Sequence, residues 1–357
     1  MKVAIIGTVG VPAEYGGFES LVENLLGENC PLEVEYTVFC SSKEMDGSRK
    51  EYKGAKLKYL PLRANGFQSV AYDVLSMIKA IKGFDCILVL GVSGCLFLPV
   101  FRMFSKSRII VNIDGLEHKR GKWGKLARWM LKASEASAVK YGDSIVADNK
   151  GIQDYVTDTY GKESYLIEYG GDHVKRTLQQ SFINDTLKKY GLTAGQYAIT
   201  VCRIEPENNS DMILEAFSKT EKQIVFIGNW NHSDWSKNLK ERYANFDNIK
   251  LLDAIYNLDV LYALRSNAGL YLHGHSAGGT NPSLVEAMFF GIPIATYDVV
   301  YNRETTENEA YYFKNVDDLI EIVRETDHLD GSPMRTIAQR RYLWNIISKK
   351  YYALYKR

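Results

Sequence analysis

The chain has 357 residues, with 44 lysines and arginines against 43 acidic residues, 46% hydrophobic and 24% charged. At roughly 100–200 residues per domain this length predicts two domains, each burying its own core, and excludes a binding peptide or a disulfide-stapled module. The even charge balance gives nucleic acid no footprint, and five cysteines without a C-x-x-C pair read as reduced thiols of a cytoplasmic protein.

The opening MKVAIIGTVG has too short an apolar run for a signal-peptide core, so no export is expected. Short runs rich in Val and Ile then alternate with longer segments of helical spacing. This is the pattern of a parallel sheet wound with helices on both faces. Strands are expected near residues 3–7, 34–39, 57–60, 86–90, 109–112, 144–147 and 165–168. The apolar stretch 86–101 is interrupted by Gly91, Gly94 and Pro99 and is shorter than the roughly 20 residues of a membrane span, so it reads as a buried strand and a helix. The rhythm then restarts, with a helix near 175–190 and strands near 197–202, 223–227, 248–252, 268–272 and 293–296. The two sheets should part near Tyr169-Gly170-Gly171-Asp172. The expected organisation is α/β, with doubly wound domains at 1–172 and 173–333 facing each other across a cleft, and a closing helix at 334–357.

Two glycine clusters follow expected strands. The first, Gly7-Thr8-Val9-Gly10-Val11-Pro12-Ala13-Glu14-Tyr15-Gly16-Gly17-Phe18-Glu19, places bare amides at a helix start. It reads either as a seat for a phosphate or sugar hydroxyl or as a turn needing positive φ. It meets neither G-x-G-x-x-G nor the G-K-[ST] of a P-loop. The second runs from Tyr271 through His273-Gly274-His275-Ser276-Ala277-Gly278-Gly279-Thr280-Asn281-Pro282 to Glu286 and Met288. Asn281 can cap a helix opening on Pro282, the Gly279 and Thr280 amides would face an anion, and Glu286 could accept from a sugar hydroxyl. The alternative for Glu286 is a helix-start carboxylate that only answers the dipole. His273 and His275 share a strand face but have no third metal ligand near them in sequence, so the expectation is no metal and an imidazole that donates a hydrogen bond. Arg203, in Arg203-Ile204-Glu205-Pro206-Glu207-Asn208-Asn209, can offer two donors to a phosphate or pair with Glu205 or Glu207.

Taken with Asp114-Gly115-Leu116-Glu117-His118-Lys119-Arg120, these four ordered motifs resemble the family 4 nucleotide-sugar glycosyltransferases of GT-B architecture, and more closely the bacterial rhamnosyltransferase subgroup of surface-polysaccharide synthesis. The resemblance spans both domains. It implies a retaining transferase that moves L-rhamnose from dTDP-rhamnose to a lipid-linked saccharide, without metal or cofactor. Donor contacts would come from Gly16, Gly17, Arg203, Asn208, His275, Gly278, Gly279, Thr280, Asn281 and Glu286. Arg203 and Asp114 would be catalytic, and Glu19, Asp114 and Glu117 would meet the acceptor. Three positions depart from the family pattern: Gly278 where a first glutamate is usual, Asn208 where a lysine is usual, and Val9 where an arginine is common.

Asp114 could deprotonate an acceptor hydroxyl or cap the next helix. Residues 116–132, LEHKRGKWGKLARWMLK, interleave basic residues with Trp123 and Trp129 and read as a membrane-surface helix or as a solvated helix with core tryptophans. With a lipid-linked acceptor, the expected location is the cytoplasm, peripheral on the inner face of the plasma membrane. Asn229-Trp230 and Ile255-Tyr256 lie where a nucleobase could stack or where the core could take them. The competing readings are a nucleotide-sugar epimerase on the same scaffold and a membrane-associated scaffold that binds nucleotide sugars without turnover.

Overall fold

The computed structural model describes residues 1–13, 16–29, 31–119 and 123–357. The chain divides into two compact units, Met1–Tyr169 with Trp344–Arg357, and Gly170–Leu343.

The first unit holds β1 (Lys2–Ile6), β2 (Glu35–Ser41), β3 (Glu51–Tyr52), β4 (Ala55–Leu60), β5 (Cys86–Leu90), β6 (Arg108–Asn112), β7 (Ser144–Ala147) and β8 (Tyr165–Leu166). They form one sheet in the order β3-β4-β2-β1-β5-β6-β7-β8, parallel throughout except for the β3–β4 hairpin. Ile5 pairs with Val38 on one side and Leu88 on the other. β5, CILVL, is buried along its whole length, because helices cover both faces and no position alternates to solvent. Truncating such a side chain, Leu88 for instance, costs about 2–5 kcal/mol.

The second unit holds β9 (Tyr197–Val201), β10 (Gln223–Ile227), β11 (Ile249–Leu252), β12 (Leu270–His273), β13 (Ile294–Tyr297) and β14 (Tyr311–Phe313), in the all-parallel order β11-β10-β9-β12-β13-β14. Both units are thus Rossmann-like, as expected from the sequence. β3 and β14 are additions of two and three residues.

Two helices differ from expectation. The helix expected near 175–190 runs only Gln180–Lys189, since Lys175 is extended and the Arg176 guanidinium donates to the carbonyls of His173 and Lys175. The closing helix 334–357 is two helices, Ser332–Arg341 and Trp344–Tyr355. The break falls at Tyr342, whose hydroxyl donates to the Thr305 carbonyl and whose own carbonyl accepts from the Gly171 amide. The last helix returns to the first unit, placing Trp344, Ile347, Tyr351, Leu354 and Tyr355 in its core, where Asn112 Nδ2 donates to the Tyr351 hydroxyl at 2.8 Å.

The stretch beginning at Cys86 is β5 followed by the helix Leu98–Phe104, and among the described residues no helix is long and apolar enough to cross a membrane. Cys40, Cys86, Cys95 and Cys202 are free thiols; burial pushes Cys40 up to about 11 and Cys202 up to about 12. Cys30 lies outside the described residues.

Candidate active site

Open parallel sheets bind ligands outside their strand carboxyl ends, where the strand order reverses. In the second unit that point lies between β9 and β12. The carboxyl ends of those two strands deliver the two motifs singled out in the sequence, 203–209 and 273–280.

The two motifs are zipped together. Gly274 makes the approach possible, since a Cβ there would lie 2.0 Å from the Asn208 carbonyl oxygen. Asn209 Nδ2 donates to the Gly274 carbonyl at 2.7 Å, and the Ser276 amide and hydroxyl each donate to the Glu207 carbonyl at 2.9 Å. Buried Asn208 donates through Nδ2 to the Arg203 carbonyl at 2.7 Å, and its Oδ1 lies 2.7 Å from His275 Nδ1. An amide oxygen only accepts, so His275 carries its proton on Nδ1. Asn208 and His275, expected to meet the donor, therefore spend these groups on holding the loop pair. Arg203 projects from the end of β9 with a side chain 49% exposed, 3.9 Å from Glu205 Oε1. His232 reaches the same oxygen at 3.7 Å.

Beyond β12 the chain turns at Gly278, with φ +85°, into the helix Pro282–Met288. Asn281 caps it as expected, its Oδ1 accepting from the Ser283 amide and hydroxyl. Gly279 and Thr280 occupy the intervening loop, with Thr280 buried.

Glu286 sits on that helix and is braced by residues that sequence reasoning missed. Arg265, on the helix Leu258–Ser266 and only 2% exposed, donates through Nη1 to Glu286 Oε2 at 2.7 Å and through Nη2 to the Ser283 carbonyl at 3.0 Å. Its guanidinium lies over the rings of Tyr271 and Phe290. His173 Nε2 is 3.4 Å from the other carboxylate oxygen. Burial alone would raise the Glu286 pKa, but the Arg265 charge and then His173 outweigh it and hold the carboxyl down at about 2. Glu286 is therefore a fixed anion. The sequence signal for Arg265 was slight: a single arginine in the last turn of a helix, 21 positions from its partner.

Burial lowers the His273 pKa well below the usual range, with neighbouring His275 adding to the effect, so His273 is neutral. Its Nε2 meets no partner among the described residues, and among them no group of three or more His, Cys, Asp or Glu is placed to hold a metal. Trp230 is fully buried and donates to the Leu252 carbonyl, so it belongs to the core and is removed from the nucleobase candidates; Tyr256 is exposed.

In the first unit the strand order reverses between β1 and β5, and the first glycine cluster leaves the carboxyl end of β1. Glu14 and Tyr15 lie outside the described residues. Gly16 has φ +125° and precedes the helix Gly17–Leu25; a Cβ there would stand 2.0 Å from Glu19 Oε2. Glu19, expected at the acceptor, turns Oε1 back to its own loop, accepting from Thr8 Oγ1 at 2.9 Å and the Val9 amide at 2.8 Å. Asp114 follows the carboxyl end of β6 with φ +60°, and its amide donates to Asn112 Oδ1 at 3.0 Å. The next helical turn is the short Glu117–Lys119, which begins three residues further on. A non-glycine residue held left-handed costs about 1–3 kcal/mol and is concentrated at functional sites. Glu117, the other acceptor candidate, accepts from Trp123 Nε1 at 3.1 Å.

Residues 183–339 match the family model described as Glycosyl transferases group 1, and residues 1–172 match one described as Domain of unknown function (DUF1972). The second unit is thus similar over residues 183–339 to group 1 glycosyltransferases, and the two Rossmann-like units together have the GT-B fold. No curated protein matches the chain by sequence. Among solved structures, sucrose-phosphate synthase from Thermosynechococcus elongatus is similar at 15% identity and TM-score 0.82, covering 99% of this chain and 98% of that one. HepE from Anabaena, in complex with UDP-glucose, is similar at 12% identity and TM-score 0.77 over the whole of both chains. A UDP-N-acetylglucosamine 2-epimerase described as putative, from Listeria monocytogenes, is similar at 12% identity and TM-score 0.62, covering 99% and 95%. At such identities the likeness is one of fold.

Proposed function

We propose that the protein transfers L-rhamnose from dTDP-rhamnose to a hydroxyl of a lipid-linked saccharide, at the inner face of the plasma membrane, in surface-polysaccharide synthesis. The observation that carries a nucleotide-sugar donor is the half-buried Glu286, held ionised by Arg265 and His173 after the strand end at the reversal point of the second sheet, beside two interlocked loops that carry Arg203 and the Gly278-Gly279-Thr280 backbone. The group 1 family match and the UDP-glucose complex of HepE support the same class of donor. Rhamnose, the thymidine base and retention at the anomeric carbon rest on the likeness of the four motifs to the rhamnosyltransferase subgroup.

In this reading Glu286 accepts a pentose hydroxyl, and Arg203 and the loop amides take up charge on the leaving diphosphate. Asn208, His275 and Asn281 keep that loop pair in shape. The acceptor oxygen forms the new bond to the anomeric carbon as the bond from that carbon to the diphosphate oxygen breaks, and the acceptor proton passes to Asp114. Gly16 and Gly17 leave room at the carboxyl edge of the first sheet. No metal or cofactor takes part, so EDTA leaves the rate unchanged.

The test is thermal stabilisation by dTDP-rhamnose, UDP-glucose, UDP-N-acetylglucosamine, GDP-mannose and NAD, on the wild type and on Glu286→Ala. Selective stabilisation by dTDP-rhamnose, abolished in the variant, is expected. Mass spectrometry of the products then separates the alternatives: an isomerised sugar nucleotide formed without acceptor selects the epimerase, and binding with no turnover over a broad acceptor panel selects the scaffold. Stabilisation by NAD alone, or by nothing, overturns the donor reading.

A further inference from the structure

The helix Leu98–Phe104 and the turn Cys95–Phe97 that leads into it are fastened to the helix Lys125–Tyr141 of the same unit. Ser137 Oγ donates to the Cys95 carbonyl at 2.7 Å, the Leu96 amide donates to Ser134 Oγ at 3.1 Å, and the Arg102 guanidinium donates twice to the Tyr141 carbonyl. These bonds occupy the sides that meet, yet several large apolar side chains elsewhere on both are exposed. Met103 is 77% exposed, Leu126 72%, Trp129 68% and Phe104 63%, and Leu96 and Met130 are exposed too. Scattered exposed apolar side chains are ordinary, but a concentration on two adjoining helices marks an interaction surface.

The charge around this face is of one sign. Segments 95–106 and 123–141 contain a single acidic residue, Glu135. It is 3% exposed and accepts from Lys132, Tyr155 and Tyr160. Asp143, just past the second segment, pairs with Arg102 at 2.6 Å. Lys106, Lys125, Arg128 and Lys140 are exposed. Of the segment expected at the membrane, Leu116 is buried and Trp123 donates to Glu117, while Arg120, Gly121 and Lys122 lie outside the described residues.

We infer that these two helices form a docking face for an anionic phospholipid bilayer, centred on Met103, Phe104 and Trp129. The apolar side chains enter the boundary between headgroups and acyl chains, and the lysines meet lipid phosphates. The inference goes beyond the sugar-transfer reading and does not rest on it, because every residue it uses lies in the first unit, whereas the donor loops belong to the second.

The test is co-sedimentation of the full chain, without nucleotide, with vesicles of phosphatidylglycerol and with vesicles of phosphatidylcholine. Strong binding to phosphatidylglycerol alone is expected. A basic residue near such a surface is worth about fivefold in partitioning, so Lys106→Gln with Lys125→Gln should weaken binding roughly 25-fold. Met103→Asp with Phe104→Asp should abolish it while leaving the melting temperature unchanged; if that pair destabilises the chain, Trp129→Ser serves in its place. Equal binding to both vesicles, no binding to either, or undiminished binding of the aspartate variant overturns the inference. So does a wild-type dimer that the aspartate pair dissociates, since the face would then belong to a second copy of the chain. Each of these results leaves the thermal-shift test of the donor site untouched.

Discussion

The two units gather their chemistry at the same place, the carboxyl edge of a parallel sheet where strand order reverses, but they brace a carboxylate there in opposite ways. In the first, Glu19 faces a hydroxyl and an amide of its own loop and acts as a clasp. In the second, Glu286 faces a buried guanidinium from another helix and is kept charged. The loop before it is held by Asn208, Asn209 and Ser276, so the carboxylate is relieved of that task. A glutamate near a glycine turn is thus informative only once its partners are known: Glu19 meets neutral donors of its own loop, whereas Glu286 meets a cation from another helix.

The contrast is broken most severely at Arg265. Arg265→Met leaves the half-buried Glu286 without its main charge partner and should cost about 3 kcal/mol in urea unfolding. Adding Glu286→Leu should return most of that loss, because two apolar neighbours need no counter-ion; if the double variant is as unstable as the single, the guanidinium matters through Ser283 and the rings instead. Arg203→Ala should lower kcat/KM about 100- to 1,000-fold with the unfolding midpoint unchanged, the size expected for a lost donor to developing charge. A shift in stability without loss of turnover would return Arg203 to a surface pair with Glu205.

Acidification tests the second of these environments. Glu286 titrates at about 2 in the folded chain against an ordinary 4.5, so its contribution is complete above 4.5 and is lost as pH falls towards 2. At about 1.4 kcal/mol per pH unit this amounts to about 3 kcal/mol. Glu286→Gln should flatten that part of the acid-stability curve. The smallest effect belongs to the clasp: Glu19→Ala should cost about 1–2 kcal/mol and leave thermal stabilisation by the donor intact.

Most of the architecture was legible because central strands such as β5 are buried on both faces and read as unbroken Val, Ile and Leu runs. β3 and β14 were not, since two or three residues carry no period. The closing segment read as one helix because the apolar spacing continues through Tyr342 and Leu343; the break comes from distant bonds to Thr305 and Gly171. At the site, motif chemistry located Arg203, Asn281 and Glu286 correctly on strand ends and a capped helix. It could not show that Asn208 bonds to His275 across the loop pair, because that depends on a partner 67 positions away in sequence. Arg265 and His173 escaped for the same reason. Trp230 and Trp129 looked alike as tryptophans following polar residues, yet one is sealed in the core and the other is 68% exposed.

The return of the last helix to the first unit also bears on how the protein is made. Synthesis proceeds at about 5–20 residues per second, so after Tyr169 leaves the ribosome, roughly ten seconds or more pass before Trp344 follows. During that interval the second unit can fold to completion while the earlier-made unit waits with the seats of Trp344, Ile347 and Tyr351 unfilled. The half of the chain that is translated first is therefore the half that finishes last, and it is the one with most need of a chaperone at birth.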